Sequence, residues 1–119
     1  MIQPEAEWRA FLALGRFMIQ RSPSTGAFVF HPRVAAPGSG ADDLEWVEAA
    51  GTGTVYAVTT ILRRDPAENY NVVLVDLDEG PRLMSRVMET AADAVAIGQR
   101  VRARIIQEGD QPLLVFVPA

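Results

Sequence analysis

Cysteine and lysine are both missing from this chain, and histidine occurs once, as His31. The first absence excludes disulfides, thiolate nucleophiles and cysteine-ligated metals. The second excludes a Schiff-base lysine and the lysine of a phosphate-binding loop, since all 11 basic side chains are arginines. No apolar run approaches the ~20 residues that cross a bilayer. The N-terminal stretch MIQPEAEWRAF carries acids early and lacks a basic segment followed by an apolar one, so no secretory leader is expected and the protein reads as cytoplasmic. Surplus positive charge is lacking too. A formal net charge of -4 disfavours general nucleic-acid binding, which needs many cations on one face.

What is present suits a packed domain. Hydrophobic residues make up 49% of the 119, enough for one modest core. Glu5 to Gln20 reads as one amphipathic helix, with Pro4 near its start and Glu5 and Glu7 in its first turn. Trp8, Phe11, Leu12, Gly15 and Ile19 follow helical spacing, and Leu14, Phe17 and Met18 widen the stripe. A strand is expected to begin at Leu44 and to bend at Gly51 and Gly53 into Thr54 to Arg64. Further strands are expected at Tyr70 to Asp78, Pro81 to Met88, Arg100 to Glu108 and Pro112 to Pro118, with a short helix from Ala91 to Val95 capped by Thr90. Five strands with a helix between the third and fourth is the order of an OB barrel. The expected fold is therefore mainly β: a five-stranded OB-fold barrel over residues 44–119, preceded over residues 1–43 by a helix and a hairpin-like arm.

The arm has the layout of a zinc ribbon without the ligands. Two turn-prone clusters, Ser22-Pro23-Ser24-Thr25-Gly26 and Ala36-Pro37-Gly38-Ser39-Gly40, flank Ala27-Phe28-Val29-Phe30. With Phe30-His31-Pro32-Arg33 between them, and with LEWVEAAGTGTVYAVTTI, VVLVDLDEGPRLMSRV and IGQRVRARI following, the ordered set resembles a known family. That family joins an N-terminal helix, a rubredoxin-like zinc ribbon and an acyl-CoA-associated OB fold. Its four ribbon cysteines correspond here to Ser22, Thr25, Ala36 and Ser39. Alanine has no donor atom and neutral hydroxyls are poor zinc ligands, so the ribbon is read as degenerate and no zinc is expected.

Catalytic groups are scarce. A triad through His31 has no nucleophile-elbow sequence behind it. The acids Asp76, Asp78 and Glu79 near a turn, and Arg100, Arg102 and Arg104 on one strand face, read as solvated surface. No catalytic or metal-binding residue is assigned, and the chain is not expected to be an enzyme by itself. The resemblance implies an accessory subunit of a thiolase-like, acyltransferase or aldolase complex acting on acyl thioesters, with a coenzyme A thioester as ligand. Arg33, Arg63 and Arg64 are the candidate contacts for an anionic ligand. Trp8, Phe11, Leu14, Phe17, Met18, Phe28 and Phe30 are the candidate interface, toward the partner enzyme or a second copy of the chain. The alternative, a single-stranded nucleic-acid binder, would need stacking aromatics on the barrel and a basic groove.

Overall fold

The computed structural model describes residues 4–30, 32–33 and 43–119. The elements run α1 (Pro4–Ala13), β1 (Met18–Arg21), β2 (Phe28–Val29), β3 (Glu45–Glu48), β4 (Thr52–Ile61), β5 (Tyr70–Leu77), β6 (Arg82–Ser85), β7 (Arg100–Glu108) and β8 (Gln111–Pro118). They form a three-stranded sheet in the order β2-β1-β3 and a five-stranded sheet in the order β6-β5-β4-β7-β8. The second is the expected OB sheet.

Strand β5 explains the barrel wall. Asn71, Val73, Val75 and Leu77 are buried while Tyr70, Val72, Leu74 and Asp76 are half-buried, the period-two pattern of a sheet with one dry face. Val55, Leu83, Val101 and Phe116 complete that interior. Each such side chain contributes ~1.5–3 kcal/mol through burial. The sheet curls until its two edges meet. Ser85 Oγ donates to the Leu114 carbonyl at 3.0 Å, Phe116 N–H to the Arg86 carbonyl at 2.9 Å, and Met88 N–H to the Phe116 carbonyl at 2.8 Å. The segment after β6 is held from inside. The fully buried Asn71 amide accepts from Val87 N–H at 2.8 Å and donates to the Val87 and Ala92 carbonyls, both at 3.2 Å.

Three expectations are corrected. The helix ends at Ala13, not Gln20, because Gly15 takes φ +75° and closes a Schellman cap. Arg16 N–H reaches the Phe11 carbonyl at 2.9 Å and Gly15 N–H the Leu12 carbonyl at 2.8 Å. Phe17 to Gln20 therefore leave the helix, and Met18 to Gln20 lie in β1. Second, the long kinked strand from Leu44 is two strands. Glu45–Glu48 pairs with β1 in the arm, and only Thr52–Ile61 enters the barrel. Gly51, at φ +82°, makes the corner, and Gly53 lies flush on β5, where a Cβ would come within 2.6 Å of the Asp76 carbonyl oxygen. Third, the connection before β7 is a single 3-10 turn, Ala92–Ala94, with Ala91 at its N-cap and no side-chain cap bond, so Thr90 does not cap it. One turn is too short to stand by its own propensity, and the Asn71 bond to the Ala92 carbonyl holds it.

Helix and arm share the barrel's core. Leu12, Phe17 and Ile19 are buried in one cluster with Val73, Leu114 and Phe116, and Trp8, Phe28 and Phe30 pack against it.

Candidate functional site

The sequence motifs lead to three places. The first is the arm's turn at residues 22–26. Ser22 is fully buried, and its Oγ donates to Asp43 Oδ1 at 2.7 Å. Ser24 N–H donates to Asp43 Oδ2 at 2.9 Å. Thr25 Oγ1 accepts from Ala27 N–H at 3.3 Å. Hydrogen bonds from Ser24 and then Ser22 hold the Asp43 carboxyl below its ordinary range. His31, Ala36 and Ser39 lie outside the described residues.

The second is the acid and arginine surface of the barrel, where each acid serves the fold. Asp76 binds Arg82 at 2.6 Å, and the Arg82 guanidinium lies 3.4 Å from the Tyr56 ring centroid. Asp78 takes a fork from Arg100 at 2.7 and 2.8 Å, and the Thr52 hydroxyl donates to it as well. Those bonds, Arg100 first, hold the Asp78 carboxyl far below the carboxylate range. Glu79 Oε2 accepts from Ala50 N–H at 2.7 Å and so ties the β3–β4 corner. Arg104 pairs with Glu89 and Arg86 with Glu108. Exposed pairs of this kind are screened by solvent and add little to stability. Among the described residues, no three His, Cys, Asp or Glu side chains gather as a metal site would require.

The third was not legible in the sequence. A groove of about 470 Å³ runs where helix, arm and barrel meet, walled by Trp8, Phe30, Pro32, Leu83, Met84, Leu113 and Leu114, with Glu5 and Arg9 at its lip. Trp8 stands edge-on to Phe30 at 5.4 Å between ring centroids. Its Nε1 is buried with no hydrogen-bond partner among the described residues, an N–H donor left over in an apolar setting. Met84, Leu113 and Leu114 also wall a second hollow of about 360 Å³, which extends to Tyr70 and Arg86. The two thus share a wall at the barrel seam. The available signal was Met84. It lies on the outer face, opposite Leu74, and is 67% exposed where a polar residue is the ordinary choice.

The candidate ligand arginines line neither hollow but adjoin residues that do. Arg33 follows Pro32, with its main chain fastened to Gln20. Arg63 lies over the Tyr70 ring, 5.4 Å from its centroid. Arg64 is exposed beside it. The candidate interface residues divide. Phe17 and Met18 are buried in the chain's own interior, which removes them from the free surface. The single helical stripe that had grouped them with Trp8 does not exist, because the helix stops four residues short of Phe17. Phe11 is edge-on to Trp46 at 5.4 Å. Phe28 is half-buried under the Arg21 guanidinium, and Phe30 walls the groove. Leu14, at 74%, is fully exposed.

Comparison with known proteins places this arrangement. Residues 46–105 match the family described as "ChsH2, C-terminal OB-fold domain". A solved chain of the "Ltp2-ChsH2(DUF35) aldolase" superposes with a TM-score of 0.84 at 32% identity, covering 99% of this chain and 96% of that one. A DUF35-family protein of unknown function from Sulfolobus solfataricus superposes with a TM-score of 0.68 over 96% of this chain and 84% of its own; at 15% identity it shows the fold alone. The "Probable enoyl-CoA hydratase alpha subunit" of Thermomonospora curvata is 34% identical over 110 residues, 87% of this chain. This chain spans only about a third, 34%, of that relative's length.

Proposed function

Because the chain belongs to the ChsH2 family, through its C-terminal OB-fold domain, we propose that it is a non-catalytic accessory subunit of an enzyme complex acting on acyl-CoA thioesters. The observation that carries this reading is the likeness to a chain of an aldolase over 99% of the present one. The curated relative, by its description a hydratase subunit, supports the wider class of acyl-CoA chemistry. The catalytic partner would be an aldolase-, thiolase- or hydratase-type chain.

The groove supports a role in holding the acyl portion. Leu83, Met84, Leu113 and Leu114 offer an apolar wall, and Trp8 Nε1 offers a spare donor beside it. Each methylene buried there contributes about 0.8 kcal/mol, so affinity should rise with chain length. Arg33, next to Pro32, and Arg63 over Tyr70 with Arg64 beside it are the cations offered to coenzyme A phosphates. The leftover Leu14 and the outer edge of the arm are the surfaces available to the partner. The nucleic-acid alternative is disfavoured by Tyr56. That exposed aromatic on β4 already carries Arg82 on its ring instead of offering an open stacking face.

The test is co-expression with candidate aldolase-, thiolase- and hydratase-type chains from the same genome, followed by gel filtration and thioester turnover with and without this chain. The reading requires a co-eluting complex whose turnover falls when this chain is omitted. A chain that elutes alone in every case and leaves turnover unchanged overturns it.

A further inference from the structure

The arm was expected to have a ribbon's layout without its donors, and the geometry shows what holds its first turn. A structural zinc site takes four donors drawn from thiolate, imidazole and carboxylate. Here the Ser22 hydroxyl is sealed from solvent and already donates to Asp43, and the Thr25 hydroxyl accepts from Ala27 N–H. Ala36 has no side-chain donor at all. These residues do not fit the ion.

We infer that a carboxylate clasp, Asp43 gripping Ser22 and Ser24, holds the arm of this chain in place of a metal ion. Asp43 spends both oxygens on one turn, at 2.7 Å to a hydroxyl and 2.9 Å to a backbone N–H. The turn it grips is closed on itself: Ser22 N–H donates to the Ala27 carbonyl at 2.8 Å, and Gly26 N–H to the Ser22 carbonyl at 2.7 Å. Gly26, at φ +76°, permits that closure. A second tie lies two residues back. The Gln20 amide, buried in β1, exchanges two bonds with the Arg33 backbone, at 2.7 and 2.6 Å. Arg33 and Asp43 are thus both fastened to β1 and the turn that follows it. A ribbon is tied through its ion; here the ties are side chains. Charge-assisted hydrogen bonds are the stronger kind, and the Ser22 end of this one is buried. The arm, and any assembly that rests on it, is then independent of zinc supply.

Amide exchange on the full chain decides the matter, with the barrel amides of Val73 and Val75 as internal standard. In the wild type, EDTA or added zinc sulfate should leave residues 22–27 equally protected. Asp43→Ala should raise their exchange by about tenfold while the barrel is unchanged. Asp43→Asn, which turns an amide N–H toward one of the two donors, and Ser22→Ala should give smaller rises. If Asp43→Ala loosens the barrel as well, the two milder variants decide, and they must raise exchange in residues 22–27 alone. A wild-type arm that opens in EDTA, or variants as protected as the wild type, overturns the inference.

Discussion

The barrel and the arm are two answers to the problem of holding short strands together. The barrel uses apolar mass: Val73, Val75, Val101 and Phe116 are sealed inside a sheet whose edges meet. The arm has a two-residue strand β2 and a four-residue β1, too little sheet to stand by itself. It borrows Phe17 and Ile19 from the common core and adds polar ties at Gln20 and Asp43. Apolar burial is indifferent to pH and metals. Polar ties depend on the charge and identity of single atoms. The two regions should therefore fail under different insults.

The largest effect should come from the barrel. Phe116→Ala empties the centre of the interior and should cost ~3–5 kcal/mol in urea unfolding, with arm and barrel lost together because Phe116 belongs to the cluster they share. Separate transitions would show the two regions to be energetically independent. Asn71→Leu should come next, at about 3 kcal/mol. It strips bonds from Val87 N–H and from the Val87 and Ala92 carbonyls inside a dry site. It should also expose the 92–94 turn to exchange before the rest of the barrel.

Acid should divide the regions at smaller cost. The Asp43 carboxyl is held below its ordinary value of 3.8 in the folded chain. Its contribution is therefore present above that value and lost as pH falls through the folded one. Exchange in residues 22–27 should rise on acidification, and Asp43→Asn should abolish that response. The Asp78 carboxyl, held by Arg100, shifts in the same direction, so the variant is what isolates the arm. The smallest stability effect belongs to Met84→Glu, within about 0.5 kcal/mol because the side chain is already exposed. The same variant places a carboxylate in the groove and should weaken octanoyl-CoA at least tenfold by calorimetry while leaving free coenzyme A unaffected. Equal loss for both ligands would place the nucleotide, not the acyl chain, against Met84.

Most of the barrel was legible in the chain. Alternation in RVRARIIQE records one wet and one dry face, YNVVLVDLD is rich in β-formers, and strands formed at both. The helix end was less so. Phe17, Met18 and Ile19 are as apolar as a helix stripe needs, and Gly15 was read as part of that stripe when it is the residue that ends it. The break between β3 and β4 was visible as glycines, but not which sheet each half would join. The groove was legible in parts. Trp8 and Phe30 were picked out, as interface residues, but Leu83, Met84, Leu113 and Leu114 were not, because a groove wall looks in sequence like any strand.

Sequence alone determined that this chain would be mainly β, that it would carry no thiolate chemistry, and that no cysteine stands in its arm. Those follow from residue identity and from periods of two, which report how much of each strand is buried. Tertiary structure decided the rest. Asp43 meets Ser22 across 21 residues, Met84 meets Leu113 and Leu114 across the seam, and the helix supplies Trp8 to the same wall. Local patterning records that a side chain is buried or paired. Only the folded chain records against what, because those partners are brought together by closure of the barrel and not by spacing along the chain.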